Sequence, residues 1–572
     1  MKSATLKNAL NAHGWVGLII SLPLFIVFWA GAITLFHPEI DQWAKLLYYD
    51  IDTQAKSRGE TVDYNDLVEA QIAEYGILAE DRISLRFPNE KMPYLRMFFQ
   101  VPVEEGDTIT QAAASHQALE SNGESEGQTS APTQATEKAP AEDKKKVKKE
   151  FKDILIDPHS GEVFTDHSPF ELADFLYVLH YKLHLPQGLY IVGVITLFFF
   201  VIIITGVIVQ LKKIVKNFFL YRKDQKLRTQ MNDMHNVVGV ISLPYAIMYA
   251  LTGVILNLLI LVQIPSALVL YKGDLDAIAK DAGFYAHRGV AATQPQLMPN
   301  LHDFVADLER TNNAEITGLN LYGYGDKSAV FQTIGLYNQG FNHSFSRFYE
   351  VATDSYPDTM NVAEDNVFAR GLSMLYAMHF ANYAGTDMRI IYFVLAMLFC
   401  AMIVAGNVLW VVKRQPKNAY PKTLAFTRGA TLGACLGVIT ATALSFFLER
   451  SLPEAISERE HLIEYVFGAT LLLVTIAGFF ANNLRGFIGA NLLASAVLLL
   501  LTVAFEWLVF GKIMIAMITA GYPILGHVSA GLAIIAILLL AIARKVLRPK
   551  RAVDKPLDNY LGAPHEVGAR IT

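Results

Sequence analysis

The chain of 572 residues contains only two cysteines, Cys400 and Cys435, and both lie inside apolar runs. Two such thiols exclude a disulfide scaffold, a cysteine-ligated iron–sulfur cluster and a Cys-x-x-Cys-His haem attachment. Charged residues make up only 18%, and the formal net charge of −5 argues against nucleic acid as a partner. No His-Glu-x-x-His, Gly-x-Ser-x-Gly, P-loop or dinucleotide motif is present, so hydrolytic and nucleotide-driven chemistry have no support.

Hydrophobic residues, in contrast, reach 53%, which is typical of a polytopic membrane protein with soluble insertions. An α-helix needs about 20 apolar residues to cross a bilayer. Apolar runs of suitable length predict eight transmembrane helices, at 14–36, 186–211, 236–262, 388–412, 429–448, 462–481, 487–510 and 522–543.

Basic residues predict the orientation of these helices. They crowd the links 212–234 and 413–428 and the tail 544–572, so the positive-inside rule places these segments and both termini in the cytoplasm. Two large polar regions then lie outside. The predicted order is a first span (1–37), a polar domain (38–178), a second span (179–211), the basic loop (212–234), a third span (235–262), a second polar domain (263–377), a fourth span (378–412), the loop 413–428, a four-helix extension (429–543) and the tail (544–572).

Each polar domain reads as one helix followed by strands. In the first, helical spacing covers 64–73, strand-like runs follow at 82–87 and 94–101, and 151–163 reads as a strand, a tight turn and another strand. The segment 104–150 is nearly free of aromatic residues and too polar to bury a core, so it reads as a disordered insertion. The second domain repeats this order, with a helix at 299–310 and strands at 314–322, 328–336 and 345–352.

Two histidines open matching apolar runs. His13 and His235 are each followed by a glycine after four residues, by Ile-Ser-Leu-Pro, and by a second glycine after eighteen residues (Gly31 and Gly253). Spans one and three therefore begin two copies of one unit, helix–domain–helix, in the same orientation.

The even-numbered spans match as well. Leu179-His180 precedes span two and Met378-His379 precedes span four, and a glycine lies near the far end of each (Gly206 and Gly406). Each repeat thus carries one histidine at the cytoplasmic mouth of its odd helix and one at the outer mouth of its even helix.

Four histidines at matched depths suit two haem groups, since neutral imidazoles from facing helices can hold haem iron from both axial sides. Equal depth pairs His13 with His235 and His180 with His379. Small residues close by leave room for a flat cofactor; they are Gly14, Gly17, Gly239, Ala377 and Ala381. Alternatively, a histidine at a membrane interface only hydrogen-bonds to headgroups or carbonyls.

His184 lies one turn after His180, and Tyr383 takes its place in the second repeat. It is an alternative ligand, a haem-propionate contact or an interface residue.

In these residues the chain resembles the PepSY-associated transmembrane family of bacterial inner-membrane proteins. The likeness covers roughly 1–415 and rests on the His-x-x-x-Gly that opens span one, on Asp157-Pro158-x-x-Gly161-Glu162, and on the run from Met378 to Gly385. Some members of that family are haem-containing ferric-siderophore reductases. The resemblance implies two periplasmic PepSY domains, a di-haem b core whose axial ligands are His13, His180, His235 and His379, and a role in iron acquisition.

Two functions follow as hypotheses. In the first, a quinol or a cytoplasmic reductant supplies electrons that cross the bilayer through two haem b groups and reduce a ferric siderophore or another ferric chelate. In the second, a non-enzymatic PepSY protein binds or regulates a periplasmic protease or other partner. A transporter is a third, weaker hypothesis that rests on the four-helix extension alone. That extension could add a quinol site, a docking surface or only bulk.

Overall fold

A computed structural model describes residues 3–46, 49, 62–89, 92–102, 149–165, 168–212, 214–259, 264–265, 268–274, 277, 294–337, 344–358, 360–361, 367–415, 420–511, 518 and 523–548. The chain divides into two compact units. The helical unit comprises Met1–Ala44, Pro169–Leu258 and Thr386–Thr572, and the sheet unit comprises Lys45–Ser168 and Leu259–Gly385.

The principal helices are, in chain order, α1 (Ser3–Thr34), α2 (His37–Leu46), α3 (Tyr64–Tyr75), α4 (Leu172–Lys182), α5 (Gly188–Gln210), α6 (Ile214–Phe218), α7 (Leu227–Ile241), α8 (Leu243–Leu258), α9 (Leu301–Asn312), α10 (Val367–Phe380), α11 (Thr386–Arg414), α12 (Pro421–Ser451), α13 (Arg459–Phe480), α14 (Leu484–Phe510) and α15 (Pro523–Leu547). The strands are β1 (Arg82–Arg86), β2 (Leu95–Pro102), β3 (Lys149–Ile156), β4 (Val163–Thr165), β5 (Ala314–Tyr322), β6 (Val330–Tyr337) and β7 (Ser344–Glu350).

Seven helices of the described chain are long and apolar enough to cross a membrane, and the bent pair α7–α8 would make an eighth span. The seven are α1, α5 and α11 to α15. The chain is therefore a multi-pass membrane protein, as its composition predicts.

The third span is broken where the first is continuous. Helices α7 and α8 meet at an angle of 68° around Ser242. Pro244 follows at once, and a proline removes one backbone hydrogen bond and clashes with the preceding turn. The matching Pro23 lies inside the uninterrupted helix α1. Equivalent prolines thus give different helix geometries in the two repeats.

The segments 179–211 and 378–412 are each interrupted near their start, and the membrane-spanning helices α5 and α11 begin close to the predicted 186 and 388. Helix α4 ends at Lys182, and Leu183, His184 and Gln187 take positive φ values of 54°, 49° and 57° before α5 begins. Likewise, α10 ends at Phe380, Ala381 has a φ of 56°, and α11 begins at Thr386. Left-handed residues cannot continue an α-helix. His180 and His379 therefore lie on short helices that stop before the spans begin.

The strands of both polar regions form one seven-stranded sheet, in the order β4-β3-β2-β1-β5-β6-β7. Two antiparallel meanders meet where β1 pairs with β5, with Ile83 opposite Leu321. The sequence predicts two separate domains, which would leave β1 and β5 as open edges. Pairing them satisfies both rows of backbone groups. The predicted strands and both helices of this unit are found within a few residues of their expected bounds.

Helices α3 and α9 cover one face of this sheet. Val68 of α3 and Leu308 of α9 pack into the core with alternate strand residues such as Leu85 and Leu319. Most of the predicted disordered insertion 104–150 lies outside the described residues, and β3 already begins at Lys149.

Candidate functional site

The imidazoles of His13 on α1 and His235 on α7 each form a hydrogen bond to a neighbouring helix of their own repeat. Nδ1 of His13 lies 3.0 Å from the carbonyl oxygen of Ile202 on α5, and Nδ1 of His235 lies 3.3 Å from that of Met402 on α11. Because a carbonyl oxygen only accepts, each ring carries its proton on Nδ1. Nε2 then presents a lone pair, which is the tautomer that a metal-ligating histidine needs.

A glycine makes each of these contacts possible. A Cβ added at Gly206 would lie 3.1 Å from Cε1 of His13, and one added at Gly406 would lie 3.3 Å from Cε1 of His235. Each glycine follows the accepting carbonyl by four residues, one helical turn. The missing side chain lets the imidazole lie directly against the helix.

The two imidazoles face each other across the bundle. Their ring centroids are 6.0 Å apart, and the ring planes are inclined at 79°. Two metal–nitrogen bonds of about 2 Å on opposite sides of one metal place the centroids roughly 6 Å apart. The separation therefore fits two axial ligands of one iron.

These histidines line a cavity of about 420 Å³ in the helical unit, within the range of cofactor pockets. Gly14, Gly17 and Gly239 are part of its wall, as the sequence predicts, and Phe199 and Phe399 add flat apolar surface. Its polar lining, taken from the described residues, includes amide side chains and two cations but no carboxylate; these residues are Asn11, Gln210, Asn232, Asn236, Asn407, Lys413 and Arg414.

This donor set fits haem better than a metal held by protein alone. Within the described part of the chain, no group of three or more His, Cys, Asp or Glu side chains could hold a metal ion. Two axial imidazoles suffice for haem, because the porphyrin supplies the other four ligands. The cationic, carboxylate-free lining also suits the two propionates of a haem.

His180 repeats the same construction at a different place in the helical unit. Its Nδ1 donates to the carbonyl oxygen of Val27 at 2.8 Å, and a Cβ at Gly31 would approach Cε1 and Nδ1 to 2.6 Å. Here too the glycine follows the carbonyl by one turn. Burial in α4 lowers the pKa of His180 and so favours the neutral, ligating imidazole.

The other two candidates differ. Nε2 of His184 lies 2.8 Å from the carbonyl oxygen of Phe175, and the two rings pack with centroids 4.5 Å apart. This side chain closes the end of α4, which favours an architectural role over ligation. His379 ends α10 in the sheet unit, and its pairing with His180 stays a prediction.

Two features of the site escape reasoning from sequence. In the sequence, Gly206 and Gly406 are noticed only for their spacing from His180 and His379. In the structure they contact His13 and His235 instead. Which helices pack together decides which histidine each glycine contacts, and the spacing of residues within one helix does not reveal that packing. The accepting carbonyls are backbone groups, which any residue type can supply.

A sequence model of the family described as PepSY-associated TM region matches residues 10–413. The chain belongs to this family. The match includes all four histidines and both halves of the sheet, and it confirms the resemblance drawn from the sequence. It ends before α12, so the four-helix extension lies outside the family region. No curated protein matches the chain.

Proposed function

We propose that this family member is an inner-membrane electron-transfer protein that holds two haem b groups and reduces a periplasmic ferric siderophore or other ferric chelate, releasing ferrous iron for uptake. The observation that carries the proposal is the facing pair His13 and His235, with its 6.0 Å ring separation and its cavity. Family membership is compatible with this function but does not require it.

In the inner site, His13 and His235 would hold the haem iron. A bound haem supplies one-electron chemistry through its ferric and ferrous states. The carbonyls of Ile202 and Met402 fix both imidazoles in the ligating tautomer, which raises the basicity of Nε2. Phe199 and Phe399 form an apolar part of the cavity wall, which would exclude water from the haem.

For the outer site we propose His180 and His379 as the second pair. The Val27–Gly31 contact supports His180, because it reproduces the construction at His13 and His235. The pairing itself follows from the sequence repeat. In this arrangement both termini are cytoplasmic and the sheet unit is periplasmic, where it supplies the surface for the chelate.

Electron balance requires one electron for each ferric ion reduced. We propose that a quinol or a cytoplasmic reductant delivers these electrons at the His13 end. The lipid bilayer then separates the donor from the acceptor.

Stopped-flow spectroscopy tests this function. Purified protein in nanodiscs is reduced with dithionite without excess and mixed anaerobically with a ferric siderophore. We expect the reduced haem bands to disappear while a ferrous chelator in the mixture develops colour. In a His180→Ala variant the haem held by His13 and His235 should stay reduced for much longer. Reduced wild-type protein that ferric chelates fail to reoxidise would contradict the proposed acceptor.

A colourless protein would instead favour the alternative, a non-enzymatic PepSY protein that binds or regulates a periplasmic partner. The continuous seven-stranded sheet gives that alternative a folded surface that needs no haem.

A further inference from the structure

The four-helix extension (α12–α15) carries two ion pairs that are almost completely buried. Glu449 of α12 pairs with Arg459 of α13 at 2.7 Å, with both side chains 0% exposed. Arg450 of α12 pairs with Glu506 of α14 at 3.2 Å, with both 2% exposed. Burying charge is costly unless every partner is in place. Such pairs therefore mark a junction whose geometry is closely specified.

The first pair contacts the start of α4. Oε1 of Glu449 accepts the backbone N–H of Leu172 at 3.2 Å, and Nη1 of Arg459 donates to the carbonyl oxygen of Pro169 at 3.0 Å. The Arg459 guanidinium also stacks over Phe170 at 4.3 Å. Two residues of the extension and three at the start of α4 thus form one buried cluster.

A second contact lies one turn further along α4. The rings of Phe175 and Phe467 of α13 meet edge to face with centroids 5.0 Å apart. The first turn of α4, from Leu172 to Phe175, is therefore contacted at both of its ends by α12 and α13 of the extension.

Helix α4 depends on such support. It has only eleven residues, and the left-handed residues Leu183, His184 and Gln187 separate it from the span α5. An isolated helix of this length is marginal, so packing must fix its direction. The extension contacts its first turn, and α1 contacts its last turn through the hydrogen bond from His180 to the Val27 carbonyl. A shift of the first turn would therefore move His180 relative to α1.

We propose that the extension positions His180, because the Glu449–Arg459 pair holds the first turn of the short helix that carries this histidine. This inference rests on the proposed haem function. It also gives a role to the extension, which lies outside the family match: these helices would stabilise the outer haem site rather than provide a separate binding site.

The test compares two double variants that remove buried ion pairs of equal kind. Glu449→Gln/Arg459→Gln removes the pair at α4. Arg450→Gln/Glu506→Gln removes the pair that instead contacts α2, where Arg450 donates to the Trp43 carbonyl and Trp43 donates to Glu506. Hydrogen–deuterium exchange of the α4 peptide and electron paramagnetic resonance of the ferric haems are measured in nanodiscs. The outer signal is identified as the one lost in His180→Ala.

We expect the first variant to exchange faster at Leu172–Lys182 and to shift the outer haem signal, with the inner signal unchanged. The control should leave both the exchange of α4 and the outer signal as in the wild type. If the first variant does not fold, Phe467→Leu tests the same contact without a change of charge, and the same two shifts are expected.

Faster exchange with an unchanged outer signal would overturn the positioning role, and so would an equal shift in the control. Unchanged exchange of α4 would show that the ion pair does not hold this helix. A wild-type protein without haem would contradict the proposed function instead, while the exchange measurement would still report whether the extension holds α4.

Discussion

At the scale of single residues, the positions of three histidine rings depend on glycines in the helices that they pack against. His13, His235 and His180 each lie against a glycine and donate to the carbonyl one turn before it. The carbonyl fixes the tautomer, and the glycine fixes how closely the ring approaches the helix. The positions of these three imidazole rings are thus determined as much by three glycines as by the histidines themselves.

Adding a methyl group at these glycines should displace the rings in a graded manner. In Gly31→Ala the new Cβ would lie 2.6 Å from the His180 ring, and in Gly206→Ala 3.1 Å from the His13 ring. Contacts below about 3.0 Å force a shift of the neighbouring group. We therefore expect Gly31→Ala to abolish outer haem binding and Gly206→Ala only to weaken inner binding, measured as the haem-to-protein ratio after purification.

The control is Gly531→Ala in α15, whose added Cβ would meet nothing within 4 Å. Its haem content should equal that of the wild type, with helix propensity favouring alanine by up to about 1 kcal/mol. Equal haem loss in all three variants would contradict the account.

The histidines themselves can be found from the sequence because they recur at matched points of a repeat. Their partners cannot. Ile202 and Met402 act through backbone carbonyls, and the glycine that each ring contacts lies on another helix. Only the packing of α1 on α5 and of α7 on α11 brings them together.

At the scale of elements, helix breaks set the direction of the histidine-bearing segments. The 68° bend between α7 and α8 turns the His235 helix away from the axis of the span that follows. The breaks after α4 and α10 do the same for the helices of His180 and His379. Hydropathy predicts the spans but not these breaks, because left-handed Leu183 and Ala381 carry no local sequence signal.

Replacing Pro244 should reduce the bend. Pro244→Ala restores a backbone N–H and removes a clash with the preceding turn, so α7 and α8 can continue as one helix. We expect His235 to move away from His13 and inner haem content to fall by more than half of its wild-type value, an order-of-magnitude expectation from the loss of one axial ligand. Spin-label distances between α7 and α8 would measure the change in angle.

Pro23→Ala provides a matched control in the first repeat. Helix α1 is already continuous through Pro23. The variant should therefore keep its inner haem, and an unchanged bend in Pro244→Ala would show that packing rather than proline breaks the span.

The junction of the two meanders should be equally sensitive. A Cβ at Gly318 of β5 would collide with the carbonyl oxygen of Leu85 on β1. We expect Gly318→Ala to destabilise the sheet unit by about 1–3 kcal/mol, seen as a lower midpoint in thermal proteolysis. Gly371→Ala in α10, where the added Cβ meets nothing within 4 Å, should leave the midpoint unchanged.

At the scale of the whole molecule, two repeats of one unit contribute to both the sheet unit and the helical unit, and the extension adds four helices to the latter. In the sheet unit the repeats join through β1 and β5 into one sheet, and in the helical unit they bring His13 and His235 to face each other. The repeat is visible in the sequence, and equal depth already pairs His13 with His235, but the joining of the two meanders into one sheet is not visible there. Strands β1 and β5 are more than two hundred residues apart in the chain. Their pairing depends on how well two exposed strand edges fit each other, which a local sequence pattern does not show.

The central claim is that His13 and His235 hold one haem together. The most direct measurement is the dithionite-reduced minus oxidised visible spectrum of purified protein, with haem quantified per chain, for the wild type, His13→Ala, His235→Ala and the double variant. We expect a b-type spectrum for the wild type and the same partial loss of haem in all three variants, since a single remaining histidine would not hold the inner haem and the outer haem would be kept. A colourless wild type, or a double variant with the full haem content, would contradict it.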